Sequence, residues 1–128
     1  MKLLLDTHVL LWWLADDREL GRQARKLVED PANDVLVSMV SLWEIAVKTR
    51  VGKLRADVRE IAEAIQHEGF ALLDIGMAHL LTLVTLPMHH RDPFDYLLIA
   101  QAIAEGATFI SEDRNAGRYA VRTVICAD

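Results

Sequence analysis

The sequence predicts a three-layer α/β/α sandwich around a central, mostly parallel five-stranded sheet, and three observations predict it. Short apolar runs alternate with longer segments of helical period, the pattern left by buried parallel strands and their crossover helices. Gly69 and Gly106 end helical segments just ahead of apolar runs, where a helix must stop before a strand begins. The length, 128 residues, suits one domain over 1–128 and is enough to bury a core of its own.

The first strand is expected over residues 2–5, an apolar run closed by Asp6, with helices after it over 8–15 and 21–30. The second strand falls at 35–38 and its helix at 41–51, where Ser41-x-x-Glu44 reads as a capping box and Glu44 with Lys48 as an i, i+4 pair. A helix over 58–68 leads through Gly69 to a strand over 70–73, and a further helix covers 77–86. Asp92 has the form of an N-cap with Pro93 at the first position of a helix over 93–105. Beyond Gly106 come a strand over 108–111 and a weaker one over 122–125, with Asp113 placed to cap a short helix through Tyr119. Trp12 and Trp13 are adjacent on a helix and face different ways, so either both belong to the core or one is core and the other is exposed for a partner or dimer surface. There are no repeats, low-complexity stretches or linkers.

With 52% hydrophobic and 26% charged residues the composition is that of a globular protein, which excludes a disordered chain. The single cysteine, Cys126, has no internal disulfide partner, and this fits a reducing cytoplasm. The start, MKLLLDTHVLLWWLA, imitates a signal peptide, but Asp6 and His8 break its apolar stretch. No run reaches the roughly 18 residues a membrane span needs, so a cytoplasmic protein without a membrane partner is expected.

Four acids stand inside apolar sequence: Asp6 in LLLDTH, Glu44 in SLWEIAV, Asp95 in DYLLIAQA and Asp113 in FISED. Carboxylates are rarely buried without a partner. Asp6 and Asp113 follow strands and Glu44 and Asp95 lie in the first turns of helices, so all four are expected at the carboxyl edge of the sheet, where α/β folds bind ligands. Two unit charges about 5 Å apart at an effective dielectric of about 20 repel by roughly 3 kcal/mol. Something cationic must hold four of them. Oxygen ligands without a His or Cys cluster favour Mg²⁺ or Mn²⁺ over zinc or copper, and such an ion points to phosphate chemistry.

Each acid also has a purely local explanation. Glu44 has the capping box, Asp92 and Asp113 are caps, and Asp95 is a first-turn acid favoured by the helix dipole. Asp6 is the hardest to explain this way, because a turn alone would not require apolar sequence on both sides. The net charge, −5, is awkward for a nucleic-acid binder, yet Lys48, Arg50, Lys53 and Arg55 cluster in KTRVGKLR, and Arg91, Arg114, Arg118 and Arg122 flank the last two acids. These are either two solvated faces or a basic rim around an acidic centre.

LLLDTHVLLWW at the start, SLWEIAVK after the second strand, HRDPFDYLLIAQA near the end and the final FISED together resemble the PIN domain, and more narrowly the VapC toxins of bacterial toxin–antitoxin pairs, over essentially the whole length. The resemblance implies a metal-dependent ribonuclease acting on single-stranded or loop RNA, a homodimer, and a small VapB-like antitoxin partner. It carries the catalytic and metal-ligating roles to Asp6, Glu44, Asp95 and Asp113, with Asp92 less firmly matched. The bound ion would be Mg²⁺ or Mn²⁺. Thr7 and Ser111 are expected to orient the ligands through their hydroxyls, and Lys48, Arg50, Arg91 and Arg114 are candidates to meet RNA. His8, His89 and His90 read as ordinary polar residues. Two rivals remain: a PIN-like module that binds RNA or a partner without turnover, and a receiver-like phospho-acceptor domain. The latter wants paired acids after the first strand and a Lys after the last, and Asp6-Thr7 and VICAD supply neither.

Overall fold

In the computed structural model, which describes residues 1–89 and 92–126, five strands and six α-helices alternate. The order is β1 (Lys2–Leu5), α1 (Thr7–Leu14), α2 (Arg22–Glu29), β2 (Asp34–Ser38), α3 (Met39–Arg50), α4 (Val58–His67), β3 (Ala71–Leu73), α5 (Met77–Leu83), α6 (Pro93–Glu105), β4 (Thr108–Ser111) and β5 (Thr123–Ile125). Short 3-10 turns at Arg18–Leu20 and Arg114–Arg118 complete it. The strands lie in the order β3-β2-β1-β4-β5, and every pairing among the described residues is parallel. The receiver-like alternative is excluded, since that fold follows the order 2-1-3-4-5.

After the exposed Lys2, β1 is apolar over Leu3, Leu4 and Leu5, because these are buried on both faces. Leu3 and Leu5 pack with Val35, Val37 and Ile110 against Leu10, Ile45 and Ile65 on one side, while Leu4 packs with Phe109 against Leu98, Ile99 and Ala102 of α6 on the other. Full burial of each such Leu contributes about 2 kcal/mol before entropy is counted. Among the described residues no helix is long and apolar enough to cross a membrane.

Several boundaries differ from expectation, each for a local reason. α3 begins two residues before the expected Ser41, because Ser38 is the residue that caps it, its Oγ accepting from Val40 N–H at 2.9 Å. Ser41 is fully buried inside the helix, so the capping box does not form and Glu44 sits in the second turn rather than the first. α5 stops at Leu83 instead of 86: the Thr82 and Thr85 hydroxyls donate to the carbonyls of Ala78 and Thr82, and Pro87 disfavours helix at Leu86. The expected helix after Asp113 is a 3-10 turn ending at Arg118. Neither Trp12 nor Trp13 is fully exposed. Both pack against the core, Trp13 beside Phe70 and Trp12 under the His8 ring, and the exposed tryptophan is Trp43, at 50%.

Candidate active site

β1 has β2 on one side and β4 on the other, so the strand order reverses there and a crevice opens beyond the carboxyl ends of β1 and β4. Asp6 leaves β1 at this edge, and Glu112 and Asp113 leave β4. Helices that follow parallel strands start at the same edge, which brings positive helix ends to the place where the acids gather. Asp6 caps α1 through Val9 N–H (3.0 Å), Asp92 caps α6 through Phe94 N–H (2.8 Å), and Asp113 caps the 3-10 turn through Asn115 N–H (2.9 Å). Each uses one carboxylate oxygen for this. The local explanation and the site are therefore compatible, because the second oxygen is not consumed by the cap.

Asp6, Glu44, Asp92, Asp95 and Asp113 all line one open cleft of about 460 Å³. Lys48 and Arg114 line it too, and so do His8 and Glu112. Asp6 is only 6% exposed, and burial pushes its carboxyl above the ordinary carboxylate range. Ser111 Oγ works against that shift by donating to Asp6 Oδ2 at 2.6 Å, and it also accepts from Asp113 N–H at 3.0 Å, so one hydroxyl ties two acids together. Glu44, 4% exposed, is held by Thr7 Oγ1 at 2.6 Å and by Lys48 Nζ at 2.6 Å. The bond to Glu44 in turn raises the Lys48 ammonium above its usual value.

Thr7 and Ser111 thus stand as the orienting hydroxyls the sequence suggested. The basic rim is smaller than expected. Lys48 and Arg114 reach the cleft; Arg50 is exposed at the end of α3 away from it, and Arg122 lines a hollow with Lys2 and Gly106 at the opposite edge of the sheet. Arg91 and His90 lie outside the described residues. Glu112 was missed, and His8 was read only as an ordinary polar residue; the two pair across the cleft wall, His8 Nδ1 against Glu112 Oε1. Position was the one signal for them, His8 two residues after Asp6 and Glu112 next to Asp113.

Among the described residues no three His, Cys, Asp or Glu side chains are gathered closely enough to hold an ion as they stand. The oxygens of Asp6 and Glu44 are instead occupied by hydroxyl, amide and ammonium donors. The donor set is all oxygen, and several carboxylates open onto one cleft; this chemistry fits a hard divalent cation.

A buried acid just past the first of five parallel strands, more acids at the neighbouring strand end and helix starts beneath them define a class, and residues 3–122 match the PIN domain family, to which the chain belongs. It is 29% identical over 118 residues to Ribonuclease VapC22 of Mycobacterium tuberculosis, covering 87% of this chain and 86% of that protein. Its fold is similar to that of VapBC2 from Rickettsia felis bound to a DNA fragment from their promoter, with a TM-score of 0.74 and 16% identity over 98% of each chain. It is also similar to DNA-bound VapBC from Salmonella typhimurium, with a TM-score of 0.70 and 14% identity over 99% of each chain. At such identities the structures share the fold.

Proposed function

We propose that the chain is a VapC-type toxin, an endoribonuclease that requires Mg²⁺ or Mn²⁺, cuts single-stranded or loop RNA and is restrained by a VapB-like antitoxin. The observation that carries this reading is the cleft at the reversal of strand order, where Asp6, Glu44, Asp95 and Asp113 open onto one space beside Lys48 and Arg114. The likeness to Ribonuclease VapC22 supports the choice of RNA, and the likeness to VapBC structures supports the partner.

Asp6 and Asp95 are the principal ligands in this reading, with Glu44 and Asp113 ligating directly or through water. A divalent ion there supplies Lewis acidity at phosphorus and a water of lowered pKa. The chain's own residues prepare the place. Ser111 and Val9 N–H fix the Asp6 carboxylate, and Thr7 and Lys48 fix Glu44. Arg114, which lines the cleft with Lys48, offers the phosphate a cation among the acids. A homodimer belongs to the same reading. Exposed apolar side chains on α3, on α5 and just after it, among them Met39, Trp43, Met77, Leu81 and Val84, are surface for a second copy or the antitoxin to cover.

The test is cleavage of a mixed-sequence, end-labelled single-stranded RNA by the purified protein. Cutting is expected with Mg²⁺ or Mn²⁺ and absent with EDTA or in Asp6→Asn. Equal cutting with and without metal removes the metal-dependent mechanism, while RNA bound but never cut favours the silent module.

A further inference from the structure

Beside the acidic cleft lies a second hollow of about 250 Å³, and the two share a wall made by Thr7, His8 and Lys48. Its chemistry is different. Leu11, Ile45 and Leu54 give it an apolar floor, and Lys48 and Lys53 give it a cationic rim. We propose that this hollow is a nucleobase subsite, which takes the base of a nucleotide adjoining the phosphate held in the cleft. The proposal rests on the ribonuclease reading and adds to it the place where the substrate is gripped by a base.

Three features of the hollow favour a base over another occupant. Its size lies below the roughly 300–1,000 Å³ of sites for drug-sized ligands, and so suits a single ring system. Its His8 ring is fixed from two sides, stacked on Trp12 with centroids 6.1 Å apart and planes 24° apart, and paired with Glu112. A ring already held still gives up little freedom when a base packs on it, and bases stack on aromatic side chains whatever their sequence. The shared wall means that a strand with its phosphate in the cleft runs directly past the opening.

The far wall is fixed in the same way. After α3 ends, Gly52 takes a φ of 79°, a left-handed conformation that turns the chain back on the helix. The amides of Lys53 and Leu54 then both donate to the Lys48 carbonyl, at 2.8 and 3.2 Å. This brings both Leu54 and Lys53 into the lining of the hollow. Among the described residues Lys53 has no ion-pair partner, so its charge is available to a phosphate next to the bound base. Lys48, by contrast, is engaged by Glu44.

The experiment measures binding, separately from turnover. The full chain carrying Asp95→Asn is titrated, in Mn²⁺, against labelled homopolymer RNA decamers and a decamer of the same backbone without bases. With the hollow open, at least one base-bearing decamer should bind about fivefold or more tighter than the abasic one, the lower end of what base stacking on side chains provides. Leu54→Trp, which fills the hollow, should remove most of that preference and leave abasic binding unchanged. Leu11→Phe, filling it from the opposite wall, should do the same, and thermal melts establish that each variant is folded. Lys53→Glu should weaken every decamer and lower the salt dependence by about one phosphate contact. A preference for bases that survives in both filled variants overturns the subsite, as does failure of every decamer to bind. Cleavage of mixed RNA by the unmodified chain reports independently on the nuclease: loss of preference without cutting keeps the subsite and overturns the enzyme, and cutting with an unchanged preference does the reverse.

Discussion

At the scale of single residues, Asp6 couples the site to pH. Burial raises its pKa in the folded protein above the unfolded value of 3.8, so the folded state binds this proton more tightly. The stability it contributes is full below the unfolded value and is lost as pH rises through the folded one. Without metal, Asp6→Asn should therefore melt higher than the parent at neutral pH, with the gap closing on acidification towards the ordinary carboxylate range; paired melts in EDTA check it, and a gap independent of pH would falsify the burial argument. The two acids of DPFD should separate as well. Asn caps a helix about as well as Asp, so Asp92→Asn should leave cleavage within a few-fold, whereas Asp95→Asn should lower kcat/KM by about a hundredfold or more. Thr49 Oγ1 is, among the described residues, a buried side-chain oxygen without a hydrogen-bond partner. Thr49→Val should raise stability by about 1 kcal/mol, read from denaturant midpoints.

At the scale of elements, α3 shows how one residue positions a functional side chain six residues further on, Ser38 setting the start of the helix that carries Glu44. Ser38 Oγ accepts from Val40 N–H to cap the helix and donates to Gln101 Oε1, and Gln101, fully buried on α6, also reaches the Asp74 carbonyl and His79. Ser38→Ala removes the cap and leaves the buried amide oxygen without its donor, for a loss of about 2 kcal/mol in chemical denaturation. The sequence showed this helix and its Glu44 plainly, but not where the helix starts. Two serines, Ser38 and Ser41, stand three apart, and only contact with Gln101, sixty-three residues away, selects the first. α6 was legible to the residue because its signals are all local: Asp92 at the cap, Pro93 at the first position and Gly106 at φ 64° to end it.

At the scale of the whole molecule, the acidic cluster places repulsion at one edge of the sheet, and a ligand that binds only the folded cleft stabilises the fold by mass action. A divalent ion at about a hundred times its dissociation constant adds about 2.7 kcal/mol. Mn²⁺ should therefore raise the melting temperature by several degrees over EDTA, and the Asp6→Asn variant should lose that response. Scanning calorimetry of the two proteins with and without metal measures both.

The sequence by itself determined the alternation of strands and helices, the buried apolar runs of the central strands β1 and β4, and which acids stand in apolar surroundings, because these follow from periodicity, capping residues and the free energy of burying charge, all of which act over a few residues. Only the tertiary structure decided the strand order 3-2-1-4-5, which sets β1 beside β4 and so brings Asp6 within reach of Ser111 at a separation of 105 residues. It also decided which cations reach the cleft: Lys48 and Arg114 do, while Arg122, on the amino side of β5, faces the other edge. Such pairings carry no short-range signature, since they are fixed by how whole layers pack and not by the residues on either side of each charge.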